Sequence, residues 1–150
     1  MATARERPYV NGNFLVDLGT GDTESVRAGF NQVILPEAVI DTIEYRNGNE
    51  KTNEPRKLSG SVSYSNLVLR RGLIGELDLY EWWNQARNGD PDARRTVTVS
   101  LLSEDRTEVV WRWKCTNALP TRYTTSDLNA EGTDVAIETI EISFERLEID

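Results

Sequence analysis

The chain has 150 residues, 17 Lys+Arg against 25 Asp+Glu for a formal net charge of −8, and no histidine. Without imidazole there is no Ser-His-Asp or Cys-His nucleophile pair, no His general base, and no zinc or iron site built on His. The length suits one domain, residues 1–150, large enough to bury about 68–70% of its unfolded surface.

At 38% hydrophobic and 28% charged residues, the composition is that of a soluble protein of intermediate polarity. The single cysteine, Cys115, cannot form an internal disulfide, so nothing calls for an oxidising compartment. No apolar run approaches the ~18 residues of a membrane span, and Met1–Pro8 lacks the apolar stretch of a signal peptide. The expectation is a protein made in a cytoplasm, leaving it only if a machine carries it out, with no direct insertion into a membrane. Residues 127–150 hold eight acids and one base, a net of −7, so the first 126 residues are nearly neutral. Such a surface repels phosphates and argues against sequence-specific nucleic-acid binding. It reads either as a solvated strand face or as a wall to which a polyanion does not stick.

In chain order, Phe14, Val16 and Leu18 alternate with Leu15 and Asp17, and Gly19-Thr20-Gly21-Asp22 ends the run as a turn. Residues 26–35 and 37–46 read as two extended segments separated by Pro36. Lys57–Arg71 is a longer strand whose alternation switches face near Asn66, which predicts a bulge there. From about Ile74 to Asn88 the period changes. Leu77, Tyr80 and Trp83/Asn84 recur at helical spacing, with Glu76 and Asp78 at the start and Asn88-Gly89 as a left-handed stop. Thr96–Leu102 sets Val97, Val99 and Leu101 on one side. Val109–Leu119 sets Val109, Trp111, Trp113 and Cys115 on one face. The last strand, Val135–Ile149, sets Ile140, Ile142 and Phe144 against Glu141, Ser143 and Glu145. About seven strands and one helix, without βα alternation, predict a mainly β fold: an antiparallel two-sheet sandwich or barrel with one flanking helix over residues 74–88.

Catalytic signals are thin. There is no phosphate loop, and Gly19-x-Gly21 lacks the third glycine and the following helix of a dinucleotide site. With one Cys and no His, a zinc ribbon or thiol protease is out, and 25 acids allow too many carboxylate pairs for any one to carry information. No enzyme, cofactor or metal is expected. Trp111, Trp113 and Cys115 read as a core stripe with an inert thiol. Trp82 and Trp83 cannot both face one core, so one meets another part of the sheet or another subunit. The polar stretch Arg46–Lys57 reads as a mobile surface loop or as a contact arm that orders when it docks.

Several segments carry a resemblance. Tyr45-Arg46-Asn47-Gly48, Lys57-Leu58-Ser59-Gly60 and Ser65-Asn66-Leu67-Val68-Leu69-Arg70-Arg71-Gly72 resemble the tail tube proteins of contractile phages and phage-tail-like contractile injection systems. The match continues in order through Leu79-Tyr80-Glu81-Trp82, through Trp113–Tyr123, and through Leu128–Glu138 to Glu145-Arg146-Leu147-Glu148, so that it runs from about Phe14 to the C-terminus. At Val26–Pro36 the sequence departs from the family, lacking the glycine of a usually shorter segment.

The resemblance implies a β-barrel of two packed sheets that forms hexameric rings, stacked into a hollow tube inside a contractile sheath. Strand edges join neighbours around the ring. Its implied partners are further copies of itself, a sheath protein, baseplate or spike and terminator proteins at the ends, and a DNA or protein cargo in the lumen. The resemblance implies ring stacking through the loop bearing Arg46, Asn47, Glu50, Lys51, Glu54, Arg56 and Lys57, which favours the contact-arm reading. Glu141 and Glu145 are expected to line the lumen. Assembly is expected in the bacterial cytoplasm, before incorporation into a virion-like particle. The alternative from another class is a monomeric β-barrel module that binds a small ligand or glycan on its aromatics.

Overall fold

A computed structural model describes residues 2–150. Its strands are β1 (Phe14–Asp17), β2 (Gln32–Ile34), β3 (Ala38–Tyr45), β4 (Arg56–Tyr64), β5 (Leu67–Gly72), β6 (Arg95–Leu102), β7 (Val109–Thr125), β8 (Ile137–Ser143) and β9 (Arg146–Ile149). One helix, α1 (Asp78–Arg87), lies between β5 and β6. The fold is mainly β with one flanking helix, as the sequence predicts.

All strand pairs are antiparallel, and the 17-residue β7 joins two sheets. Its first half lies between β6 and β9, with β1 outside β6. Its second half pairs with β8, which is followed by β5 and β2. The corner is visible in the backbone. Asn117 has φ +52° where the β6 register slips, and its amide donates to Glu145 Oε2 at 2.8 Å, where the chain passes from β8 to β9. Asparagine tolerates that left-handed conformation better than most residues. A second slip opposite Glu141 absorbs Pro120, which cannot donate to a ladder.

Alternation supplies the core. Val16, Val97, Val99 and Cys115 from the first sheet meet Leu67, Leu69, Ile140 and Ile142 from the second, each no more than 2% exposed. The helix adds Leu79 and Trp82, and the Trp82 indole N–H donates to Ala93 O. The turn after β1 is held by Asp17 Oδ1, which accepts from Gly19 and Gly21 N–H, both residues at positive φ.

Several expectations need correction. The helix begins at Asp78 rather than near Ile74, because Gly75 sits at φ +85° and interrupts the winding. Its buried face carries Leu79 and Trp82, while Leu77 and Tyr80 point outward, 62% and 39% exposed. Val26–Ala28 is a 3₁₀ turn and only Gln32–Ile34 of that segment is strand. Lys57–Arg71 is two strands in different sheets, and the bulge lies at Gly60–Ser61 rather than near Asn66. Val135–Ile149 is likewise divided at Phe144-Glu145, and Trp111 lies at the rim of its stripe, 38% exposed, with Val110 fully buried instead. The left-handed stop holds: Gly89 has φ +75°, and its N–H bonds to Ala86 O.

Candidate functional site

β3 and β4 form a separate two-stranded sheet, and every residue of β3 is exposed. This hairpin is an outward continuation of the β2–β5 ribbon. Ile34 pairs with Val68 and Ala38 with Tyr64 in the same register, and Ser65 N–H bonds to Glu37 O between them. At this junction Glu37 N–H bonds to Ser65 Oγ at 2.7 Å, while Ser143 Oγ donates to Asn66 Oδ1 and ties the hinge to β8. Eight residues of strand carry the arm roughly 25 Å from its root.

Isolated two-stranded ribbons are marginal in water. Here Ile40 and Val62 are 58% and 55% exposed, and Ile43 and Leu58 are 56% and 50% exposed. The pairing decides which way they point. Ile40 faces Val62 and Ile43 faces Leu58 across the ribbon, and three steps along β3 reverse the face. On β4, Leu58 and Val62 share sequence parity, and only the extra residue at Gly60–Ser61, opposite Asp41, puts them on opposite faces. The bulge is tight: a Cβ on Gly60 would lie 2.8 Å from Asp41 O. The arm therefore shows an Ile40/Val62 patch on one face near its root and an Ile43/Leu58/Tyr45 patch on the other near its tip.

The structure divides the expected contact residues between elements. Arg46, Asn47, Glu50, Lys51 and Glu54 lie in the tip, while Arg56 and Lys57 start β4. The tip is closed by its own bonds. Arg46 donates to Thr52 O and Glu50 O at 2.8 and 2.9 Å, and Arg56 lies 3.3 Å from Glu50. Lys51 and Glu54 are exposed. Glu141, 28% exposed at its side chain, is 3.5 Å from Arg122, and Glu145 is 3.5 Å from Arg94. Arginines likewise meet Glu138, Glu148 and Asp150, while Asp127, Glu131 and Asp134, on the exposed loop after β7, form no ion pair among the described residues.

Sequence reasoning missed the buried polar cluster under the start of α1. Arg71 and Glu138, each 1% exposed, form an ion pair, with Arg71 Nε donating to Glu138 Oε1 at 2.7 Å. Arg71 also donates to Asp78 Oδ1 and to Arg27 O, both at 2.7 Å, and the Tyr123 hydroxyl donates to Glu138 Oε2. Burial, then the bond to Glu138, push the Tyr123 phenol up to about 12. Every polar atom is satisfied, so the cluster fixes the helix against the second sheet. Burial likewise raises the Cys115 thiol to about 11, the state of an inert core sulfur. A cleft of about 640 Å³ beside the helix contains Arg95, whose guanidinium stacks on the Trp82 ring at 4.8 Å. Trp83 is half-buried, with the Arg87 guanidinium 4.9 Å above its ring. No helix among the described residues is long and apolar enough to cross a membrane.

An arm that exposes two apolar patches beyond a β body is the geometry of an assembly subunit, and the comparisons agree. The chain is similar to a chain of the sheath–tube complex of an extracellular contractile injection system, PVC, in its extended state, with 28% identity and TM-score 0.84 over 97% of this chain and 93% of that one. It is similar at 29% identity and TM-score 0.83 to a chain of the PVC sheath/tube terminator, covering 98% and 99%. It is also similar at 27% identity and TM-score 0.84 to a chain of the anti-feeding prophage cap, covering 100% and 95%. No curated protein matches it in sequence. Nothing in these comparisons supports the ligand-binding alternative. The model of the T4-like virus tail tube protein gp19 family matches residues 10–148, so the chain belongs to that family and is a structural tube subunit of a phage tail or contractile injection particle.

Proposed function

We propose that the chain, acting as one tube domain and without catalysis, closes into hexameric rings that stack into a hollow conduit for DNA or protein, driven out when a surrounding sheath contracts. The observation that carries this reading is the arm, whose two apolar patches have no cover within one copy. Its partners are further copies, then sheath protein along the tube, baseplate or spike at one end and terminator at the other. Rings form in the bacterial cytoplasm before the particle is complete. A ring repeated many times is stable through multivalency even where each contact is modest.

Within this reading the residues from Arg46 to Lys57 contact the adjacent ring, and Glu141 and Glu145 face the lumen, where negative charge at close range keeps an acidic cargo from adhering. Negative-stain images and a light-scattering mass of the purified chain are expected to show rings and tubes; a 17.0 kDa monomer at all concentrations overturns the proposal. The double change Arg56→Glu, Lys57→Glu is expected to stop tube growth while leaving the monomer folded, and unchanged tube length counts against the loop assignment. A tube structure with Glu141 and Glu145 both turned outward removes the lumen assignment.

A further inference from the structure

Three Asn-Gly pairs stand in this chain, at Asn11-Gly12, Asn47-Gly48 and Asn88-Gly89. Asparagine before glycine is open to cyclisation, because glycine has no Cβ to crowd its nitrogen. The glycine backbone nitrogen bonds to the Asn Cγ, its proton passes to solvent base, and the Cγ–Nδ2 bond breaks to release ammonia. Water then opens the succinimide, at Cγ to give aspartate or at the backbone carbonyl to give isoaspartate. The step needs an amide side chain free to swing and a glycine N–H free to lose its proton. On these two counts the fold separates the three pairs.

At Asn47 the side chain is held at both ends. Its Oδ1 accepts from the Tyr45 hydroxyl, its Nδ2 donates to Glu50 Oε1 at 3.4 Å, and the residue is half-buried. At Asn88 the attacking nitrogen is engaged instead: Gly89 N–H donates to Ala86 O at 3.1 Å in the helix stop, beside the bond from Asn88 N–H to Asn84 O at 3.0 Å. Asn11 and Gly12 form an exposed turn ahead of β1. Among the described residues, neither the Asn11 side chain nor the Gly12 N–H has a hydrogen-bond partner. The anchors lie to either side: Asn13 O accepts from Leu102 N–H at 2.9 Å, and the Tyr9 hydroxyl donates to Thr3 O at 2.8 Å.

We propose that Asn11 is a deamidation site of the folded chain, converting to aspartate and isoaspartate ahead of Asn47 and Asn88. Each hydrogen bond that has to open first lowers the reactive population by about fivefold, so Asn88 falls roughly fivefold behind and Asn47 further. The product adds a negative charge between the N-terminal segment and β1, and in its isoaspartyl form it also lengthens the backbone there by one carbon. Nothing in this depends on assembly into a tube.

Peptide mapping by mass spectrometry during storage of the full chain at neutral pH tests it, with isoaspartate scored by electron-transfer fragmentation and a parallel sample unfolded in guanidinium. In the folded chain Asn11 is expected to convert at least about fivefold faster than either other site, and the three rates are expected to converge on unfolding. Equal rates in the folded chain, or a lead by Asn47 or Asn88, overturn the proposal. An unfolded chain that keeps Asn11 as far ahead overturns it too, since neighbouring residue types rather than the fold would then make the selection. Gly12→Ala, whose Cβ meets nothing within 4 Å, is expected to fold normally and to lose the conversion at position 11; undiminished conversion in that variant overturns the proposal.

Discussion

Arg71 is the residue on which the helix seat depends. Its guanidinium satisfies Glu138, Asp78 and a backbone carbonyl in a site 1% exposed. Replacing Arg71 by Ala leaves two carboxylates without their cation, and breaking a buried pair this way costs about 3–5 kcal/mol. Urea unfolding of the monomer measures that loss. At the surface, Arg5 bonds to Glu104 and stacks at 3.7 Å on Tyr9, tying the N-terminal segment to the β6–β7 turn. The bond from Arg5 holds the Glu104 carboxyl down at about 2. A depressed carboxylate stabilises above its ordinary value of 4.5 and loses that contribution as pH falls toward 2. Between those limits the N-terminal segment is expected to loosen before the core does, as hydrogen exchange at the Thr3 amide reports. Neither contact was legible in the sequence: Arg71 lies 67 residues from Glu138 and Arg5 lies 99 from Glu104, and no local period links them.

At the scale of elements, the helix and the arm behave oppositely. The helix is fastened by burial: Trp82 is 1% exposed, and Trp82→Ala is expected to destabilise by about 3–5 kcal/mol in the same unfolding measurement. The arm is fastened only at its root and by its own ladder. Gly60→Val drives a Cβ to within 2.8 Å of Asp41 O, so it distorts the bulge. The expected outcome is a barrel that melts at an unchanged temperature and no longer assembles, read by calorimetry and light scattering on one sample. Period-3.6 patterning found the helix from the spacing of Leu77, Tyr80 and Trp83/Asn84, which does not say which face is buried. Apolar residues occur on more than one side of this helix, and packing on β7 decides that Leu79 and Trp82 turn in. Period-2 patterning found every long strand segment, yet it reads the switch of face near Asn66 as a bulge, when the chain changes sheet there, and it runs one strand through the break at Phe144-Glu145.

For the whole molecule, the separation of body and arm makes a sharper prediction. Replacing residues 39–63 by a two-residue turn shortens the ribbon to its Ala38–Tyr64 pair and leaves the core untouched. The shortened chain is expected to remain folded and monomeric at concentrations where the full chain forms tubes, as sedimentation velocity measures. The net charge of −8 also changes meaning. Five of the eight acids after residue 126 are matched to arginines, so the uncompensated charge of that segment rests on the loop bearing Asp127, Glu131 and Asp134.

The sequence by itself determined the β content, the single helix, the lack of imidazole chemistry and, through motifs in order, the tail tube family. These follow from local period, residue type and spacing, all of which are written along the chain. Tertiary structure alone decided that one hairpin leaves the body, that a bulge turns its two patches to opposite sides, and that most tail acids are paired. Alternation fixes that a strand has two faces; what covers each face depends on partners distant in sequence, or on another copy of the chain.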